Sequence, residues 1–302
     1  MIGRRAVLRV LVGGALAAAA GAGYAAGVEP GLLLRTRTWR PVLPLWPEGY
    51  RLRIVALADI HMGPPWMTPG RLERIVDRAN RQGADLIVLL GDYLAGHPFT
   101  RGGVAVDRVA RILSGLDAPL GVYTILGNHD WWDDELAQAA GHGPTQTHRA
   151  FEAAGIPVLE NNAVRLSTAS GPLWLAGLGD QLAFWVRRRQ GLGGPLGVED
   201  MGATLAAITD DAPAILLAHE PDIFPEVPDR FALTLSGHTH GGQVRFFGHS
   251  PTVPSRYGNR YAYGPVIEGN RGIVISGGLG CSIAPIRLGV PPEITLVELG
   301  AP

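Results

Sequence analysis

The sequence has no lysine and almost no cysteine. All 26 of its basic residues are arginine, and Cys281 is the single cysteine. Without lysine the chain cannot form a lysine Schiff base or use a P-loop lysine to bind phosphate. One cysteine excludes an internal disulfide, a cysteine-rich zinc site and an iron–sulfur cluster. A bound metal therefore needs histidine and carboxylate ligands, and the chain has nine histidines.

Charge is also scarce. Charged residues make up 18% of the chain, and the formal net charge is -1. This composition excludes a strongly basic nucleic-acid-binding protein and an acidic disordered chain, so we expect no nucleic-acid partner. With 302 residues, of which 46% are hydrophobic, the chain can bury a sizeable core.

The N-terminus has the pattern of a targeting segment. Arg4 and Arg5 precede an uncharged stretch at 10–28 that is rich in alanine and glycine. The arginine pair before a weakly hydrophobic stretch resembles a twin-arginine export signal. An uncleaved membrane anchor and a buried helix of the domain are the alternatives. We therefore expect a signal peptide or anchor at 1–27, a linker at 28–50 and one domain at 51–300, located outside the cytoplasm and exported, periplasmic or membrane-anchored.

Short apolar runs alternate with helical patterns in the first half of the domain, and strands dominate the second half. Buried parallel strands appear as continuous apolar runs, and helices as apolar residues at a spacing of three or four. The patterns predict helices at 69–79, 106–113, 147–154 and 200–208. They predict strands at 54–58, 86–90, 122–126, 156–159, 163–167, 173–178, 214–218, 231–235, 272–276 and 293–298.

Polar residues follow five of the predicted strands directly. In open α/β sheets, ligands bind beyond the carboxyl ends of the strands, so we expect these residues to converge. Residues i and i+2 of a strand point to the same side, which suits Asp59 with His61 and His238 with His240. The residues at the strand ends are Asp59, His61, Asp92, Asn128, His129, Asp130, His219, His238 and His240.

This donor set indicates a metal site. Even without His129 and Asp130, the set contains four histidines, two aspartates and one asparagine, which are too many ligands for one tetrahedral zinc. They suit two divalent metal ions bridged by a carboxylate, as in two-metal phosphatases. The positive charge of two divalent ions exceeds the negative charge of Asp59 and Asp92, so such a site would keep a net positive charge and attract phosphate.

The same motifs resemble the calcineurin-like metallophosphoesterases over about residues 51–298. The motifs are Asp59-Ile60-His61, Gly91-Asp92, Gly127-Asn128-His129-Asp130, His219 and Gly237-His238-Thr239-His240. Three further stretches resemble its exported or membrane-associated bacterial branch, namely 218–222, 237–243 and 291–294. The resemblance implies an α/β fold, a four-layered sandwich of two mixed sheets flanked by helices.

The resemblance also implies roles for the residues. One metal would be held by Asp59, His61, Asp92 and His240, and the other by Asp92, Asn128, His219 and His238. His129 would lie near the leaving-group oxygen, and Asp130 would orient His129. Many members of the family carry a further aspartate three residues after Gly-Asp, where this chain has Ala95.

The predicted function is hydrolysis of phosphoesters, with phosphodiesters favoured, by hydroxide bound to a dinuclear metal centre. The cofactors would be two divalent ions, with manganese, iron, zinc and nickel all compatible. The expected partners are a phosphate-ester substrate and, as a further candidate, a lipid or membrane surface. The alternatives are a pyrophosphatase acting on a nucleotide-linked lipid A precursor and a non-catalytic metal-binding protein of the same fold.

Overall fold

Two β-sheets pack face to face in the computed structural model, which describes residues 3–300. The strands are β1 (Arg35–Trp39), β2 (Leu52–Leu57), β3 (Leu86–Leu89), β4 (Val122–Thr124), β5 (Asn162–Thr168), β6 (Gly171–Gly177), β7 (Ala214–Leu217), β8 (Leu233–Ser236), β9 (Gly264–Glu268), β10 (Arg271–Ile275) and β11 (Glu293–Leu299). One sheet has the order β1-β11-β2-β3-β4, and the other has the order β5-β6-β7-β8-β10-β9. Both sheets contain parallel and antiparallel pairs.

Helices cover the outer faces of both sheets. The α-helices are α1 (Arg4–Gly23), α2 (Glu29–Leu32), α3 (Pro69–Asn80), α4 (Val106–Leu113), α5 (Asn128–Trp132), α6 (Glu135–Ala140), α7 (Gln146–Ala153), α8 (Trp185–Arg189) and α9 (Met201–Ala206). A π-helical turn (Tyr24–Val28) joins α1 to α2, and 3-10 turns lie at Pro221–Glu226, His240–Gly242 and Gly258–Tyr261. The predicted four-layered α/β sandwich, with two mixed sheets flanked by helices, is confirmed.

Strand β2 shows how the sequence produces these layers. Its side chains alternate between two faces, as in any strand. Val55 and Leu57 pack in the core between the first sheet and helices α3, α4 and α7. Ile54 and Ala56 pack in the core between the two sheets. Both faces are buried, which explains why this strand is a continuous apolar run.

The sequence patterns missed the weakly buried strands. Strand β1 lies inside the segment 28–50, which we interpreted as a linker, and it pairs in parallel with β11 at the sheet edge. Its sequence is mostly polar and its side chains are exposed or half-buried, so hydrophobic periodicity does not mark it. Strand β9 is also an edge strand, and its five residues include Pro265 and partly exposed side chains, so they form no buried apolar run. The strand predicted at 156–159 is wrong, since only one isolated bridge, from Val158 to Thr124, occurs there.

Helix α1 projects away from the sandwich. Every side chain of α1 that the structure describes is exposed. Residues Leu11–Leu32 form a segment long and apolar enough to cross a membrane. Contact with the domain begins just after α1, where Ala25, Glu29 and Pro30 are buried.

Candidate metal centre

The loops after β2, β3, β4, β7 and β8 meet at one edge of the sandwich, and backbone hydrogen bonds join them. The Asp59 amide donates to Gly91 O at 3.1 Å, and the His61 amide donates to Asp92 O at 3.0 Å. The second sheet is joined to the first through side chains, since the His238 amide donates to the Asp59 carboxylate at 2.8 Å. The predicted convergence of strand ends is therefore found in the fold.

Potential metal ligands form two adjacent groups that share no residue, and a third group of His61, Asp92 and His129 overlaps both. In the first group, the ligand atoms of Asp59, His61 and His240 lie within 4.8 Å of one another. In the second, those of Asp92, His219 and His238 do the same. Asn128 joins the second group, because its Oδ1 lies 2.8 Å from Nδ1 of His238.

Asp92 stands between the two groups. Its Oδ2 lies 3.5 Å from Nε2 of His61 and 3.3 Å from Nε2 of His219. Its Oδ1 accepts a hydrogen bond from the His129 amide at 2.9 Å. One carboxylate oxygen of Asp92 thus faces a histidine nitrogen from each group.

Backbone carbonyls orient two of the histidines. Nδ1 of His219 lies 2.6 Å from Leu90 O, and Nδ1 of His61 lies 3.2 Å from Leu94 O. A carbonyl at this position accepts a hydrogen bond from Nδ1–H, which leaves Nε2 as a lone-pair donor. Both Nε2 atoms face the centre, as metal ligands must.

The donor atoms are arranged for binding metal ions rather than for hydrogen bonds with one another. Oδ2 of Asp59 and Nε2 of His219 are buried without a hydrogen-bond partner. Nε2 of His61 lies 3.1 Å from Nε2 of His240, so two imidazole nitrogens point at each other. Buried polar atoms without partners are costly, and divalent cations would satisfy this set of nitrogen and oxygen donors.

Backbone strain concentrates at the same residues. A positive φ is uncommon outside glycine and costs of order 1–3 kcal/mol. The candidate ligands with positive φ are Asp59 (53°), His61 (42°), Asp92 (60°), His238 (67°) and His240 (52°). Strain of this kind persists where surrounding structure holds the backbone in place, and it is typical of functional sites.

Glycines allow the loops to approach each other closely. A Cβ on Gly127 would lie 2.5 Å from Oδ1 of Asp92 and 2.6 Å from Cε1 of His219. A Cβ on Gly237 would lie 2.9 Å from Oδ2 of Asp59. Any side chain at either position would displace a candidate ligand.

Burial shifts the pKa values of four of the donors. It raises the pKa of Asp59 to about 7 and lowers the pKa of His61 to about 3. Burial also lowers the pKa values of His238 and His240. These three histidines are therefore uncharged at neutral pH, which is the form that binds a metal.

His129 lies beside the first group, and no hydrogen bond fixes its ring nitrogen Nδ1. Its ring centroid is 5.0 Å from that of His61 and 5.1 Å from that of Trp132. Its Nδ1 has no hydrogen-bond partner, and the carboxylate of Asp133 lies 4.0 Å from it. Gly96 packs directly against the ring, since a Cβ there would lie 2.6 Å from Nδ1.

Asp130 has a different position from the one that the family resemblance implied. Its carboxylate accepts three backbone hydrogen bonds, from the amides of Gly127 (2.8 Å), Asp92 (2.9 Å) and Tyr93 (3.1 Å). The expectation that Asp130 orients the His129 ring is therefore corrected. Both carboxylate oxygens are occupied by the loop backbones, so Asp130 fixes the loops that carry Asp92 and Asn128.

Sequence reasoning missed Arg287. Its side chain is fully buried, and it donates to the carbonyls of Gly277 and Val290, both at 2.8 Å, and to that of Gly280. One of its nitrogens lies 3.3 Å from Nδ1 of His240. Arg287 thus holds the loop behind the first ligand group. An arginine in a loop carries no sequence signal that distinguishes it from a surface arginine.

Comparison with known proteins gives consistent matches. A family model described as calcineurin-like phosphoesterase matches residues 52–242. An "Uncharacterized metallophosphoesterase YkuE" of Bacillus subtilis is 32% identical, covering 96% of this chain and 93% of that protein. A "Phosphodiesterase YaeI" of Escherichia coli is 29% identical, covering 99% of this chain and all of that protein. A "Transmembrane protein with metallophosphoesterase domain" of Danio rerio is 33% identical over 64% of this chain and 41% of that protein.

Proposed function

We propose that this chain, which belongs to the calcineurin-like phosphoesterase family, hydrolyses phosphodiesters at a centre that holds two divalent metal ions. The position of Asp92 carries the proposal, because one of its oxygens faces His61 in one donor group and His219 in the other. The relative from Escherichia coli that is named a phosphodiesterase supports the choice of substrate bond.

Two sets of residues would hold the ions. Asp59, His61, Asp92 and His240 form one set, and Asp92, Asn128, His219 and His238 form the other. When bound, divalent cations supply positive charge for the phosphate and lower the pKa of a water molecule so that it can serve as the nucleophile. Imidazole and carboxylate ligands are compatible with manganese, iron, zinc or nickel.

His129 is proposed as the general acid of the reaction. It lies beside His61, close enough to share a possible donor group with His61 and Asp92, and its side chain is partly exposed. A protonated imidazole there would donate a proton to the leaving-group oxygen. Asp130 contributes by holding the Asn128–His129 backbone against the Asp92 loop.

The apolar N-terminal helix and its basic start support a location outside the cytoplasm, exported or attached to a membrane. Arg4, Arg5 and Arg9 precede the apolar stretch, as the positive-inside rule requires for a domain on the opposite side.

The test is turnover of bis(p-nitrophenyl) phosphate by purified protein loaded with manganese, iron, zinc or nickel. We expect hydrolysis with at least one metal, loss of activity with a chelator, and a slower rate on p-nitrophenyl phosphate. Turnover confined to the monoester would contradict the phosphodiester assignment. Absence of turnover with all four metals would favour a non-catalytic metal-binding protein.

A further inference from the structure

The base of the N-terminal helix is built into the domain. The carbonyl of Ala25 accepts a hydrogen bond from the Arg287 amide at 2.9 Å. The carbonyl of Ala26 accepts one from the indole of Trp66 at 2.7 Å. Both partners belong to the domain, and Ala25 is buried. Removal of residues 1–27 would therefore delete contacts that the folded domain uses.

Arg71 binds the residues that follow. This side chain is 7% exposed. Its guanidinium donates to the carbonyls of Pro30 at 2.6 Å and Leu33 at 2.9 Å, and also to that of Gly31. A buried guanidinium needs such partners, because an unpaired buried charge is strongly unfavourable. The segment after α1 is thus required to satisfy a charge inside the domain.

This attachment lies next to the candidate metal centre. A cleft between the two is lined by Pro30 from the helix base, by Trp66 and His97, and by the candidate ligand His61. Arg287 connects the same two regions, since its backbone binds Ala25 while its side chain contacts His240. The anchor point and the candidate ligands are therefore separated by a single side chain.

The apolar segment Leu11–Leu32 has the length of a membrane span, and no linker separates it from the domain. Its 22 residues correspond to about 33 Å of helix, which matches the hydrocarbon thickness of a bilayer. Domain contacts start at Ala25, two residues after α1 ends. A domain attached so closely must lie against the membrane with the surface around Ala25.

That surface carries exposed apolar side chains. Phe99 is 54% exposed, Ile283 is 83% exposed and Ile286 is 40% exposed. The Phe99 ring neighbours His97, whose ring neighbours Trp66, and Ile286 directly precedes Arg287. Ile283 follows two residues after Cys281, which lines the cleft together with Pro30. These three side chains, which we call the apolar rim, thus lie around the helix base. Exposed apolar side chains around the base of a membrane-spanning helix would meet the bilayer that this helix enters.

We propose that α1 is retained as a membrane anchor and holds the metal centre against the bilayer, so that the enzyme acts on phosphodiesters of lipid headgroups. The chemistry of this step rests on the proposed function. The apolar rim enters the headgroup layer beside the centre, and the substrate phosphate reaches the metal ligands from the membrane plane. The arginines at the start of α1 place the domain on the extracytoplasmic face.

The first test measures whether α1 is retained in the mature protein and whether the apolar rim enters the bilayer. Full-length protein purified from bacterial membranes should have an intact mass that includes α1. Variants Phe99→Cys and Ile283→Cys, labelled with a fluorophore and reconstituted in phosphatidylcholine vesicles, should be quenched by brominated acyl chains. Ile267→Cys is the matched control, because this exposed isoleucine lies on β9 opposite Gly272, at the sheet end away from the candidate ligands. The unsubstituted chain, whose Cys281 is buried, gives the labelling background.

Two results would overturn the anchoring geometry. One is a mature chain that begins after Gly23. The other is quenching at positions 99 and 283 no greater than at position 267. Either result would mean that the metal centre does not face a bilayer, whatever the activity of the enzyme.

The second test addresses the lipid substrate. Vesicles of total bacterial membrane lipid are incubated with metal-loaded full-length protein, and released headgroups are followed by phosphorus NMR. The double variant Phe99→Ser/Ile283→Ser should lose about tenfold or more of this hydrolysis, because two apolar contacts with the bilayer are removed. Its rate on bis(p-nitrophenyl) phosphate should be unchanged, and Ile267→Ser should match the unsubstituted chain on both substrates.

The outcomes separate the two proposals. Hydrolysis of the soluble diester without release of any headgroup would refute the lipid substrate but not the proposed phosphodiesterase function. Equal headgroup release by the double variant and the unsubstituted chain would refute the role of the apolar rim. Failure on both substrates would refute the proposed function itself.

Discussion

Oδ2 of Asp92 lies 3.3 Å from Nε2 of His219, and the same oxygen lies 3.5 Å from Nε2 of His61. The two histidines come from different sheets, His61 after β2 and His219 after β7. A carboxylate shared in this way would bridge two ions and also connect the loops of the two sheets. The dinuclear assignment therefore depends on Asp92 more than on any other residue.

Replacement of Asp92 with asparagine should weaken both metal sites together. The amide keeps the shape of the side chain but removes the negative charge that both ions would share. Metal content per chain, measured by inductively coupled plasma mass spectrometry, should fall at both sites. Asp133→Asn, which changes a more exposed carboxylate outside the two ligand sets, is the control. Loss of only one ion from the Asp92→Asn protein would rule out a bridging role.

His129→Ala should separate chemistry from metal binding. We expect turnover of an activated phosphodiester to fall by about 10²–10⁴-fold, the usual contribution of a general acid. Metal content should stay close to that of the unsubstituted chain. His142→Ala, which removes an exposed histidine, should leave both quantities unchanged. An unchanged rate in His129→Ala would remove this residue from the mechanism.

Asp130→Ala should destabilise the fold. Three buried amides, those of Gly127, Asp92 and Tyr93, would lose their acceptor. We expect the free energy of unfolding of the metal-free protein to fall by about 3 kcal/mol, since each buried donor left without a partner is costly. Urea denaturation measures this value, with the exposed Asp211→Ala as control. Equal effects of the two substitutions would show that Asp130 does not hold the loops.

Arg287→Lys should weaken the first ligand group although the charge is kept. A lysine ammonium cannot donate at once to the carbonyls of Gly277, Gly280 and Val290 while it contacts His240, because it lacks the planar fork of arginine. Thermal unfolding should have a lower midpoint temperature, and manganese titration should show weaker binding. Arg188→Lys on α8 is the control. A midpoint and affinity equal to those of the unsubstituted chain would exclude the positioning role.

The candidate ligands could be found from sequence because of how they are placed. Each follows an apolar run, and parallel strands bring their carboxyl ends to a common edge. Asp59 and Asp92, far apart in the chain, follow neighbouring strands β2 and β3. The four-layered fold was predictable for a related reason, since strands buried on both faces give unmistakable apolar runs.

Other features could not be predicted, because they depend on contacts between distant segments. Arg71 and Arg287 are buried by loops and by the base of α1, and their local sequences do not differ from those of surface arginines. Strand β1 is polar and belongs to the sheet only through its pairing with β11. The position of Asp130 was misjudged because adjacency to His129 in sequence does not determine where a carboxylate points on a helical turn.

The most direct test of the dinuclear phosphodiesterase is a metal titration in which bound manganese and turnover of bis(p-nitrophenyl) phosphate are measured on the same metal-free preparation. We predict that turnover rises until two ions are bound per chain and then reaches a plateau. Full turnover at one bound ion per chain, with no further change on binding of a second, would contradict the account.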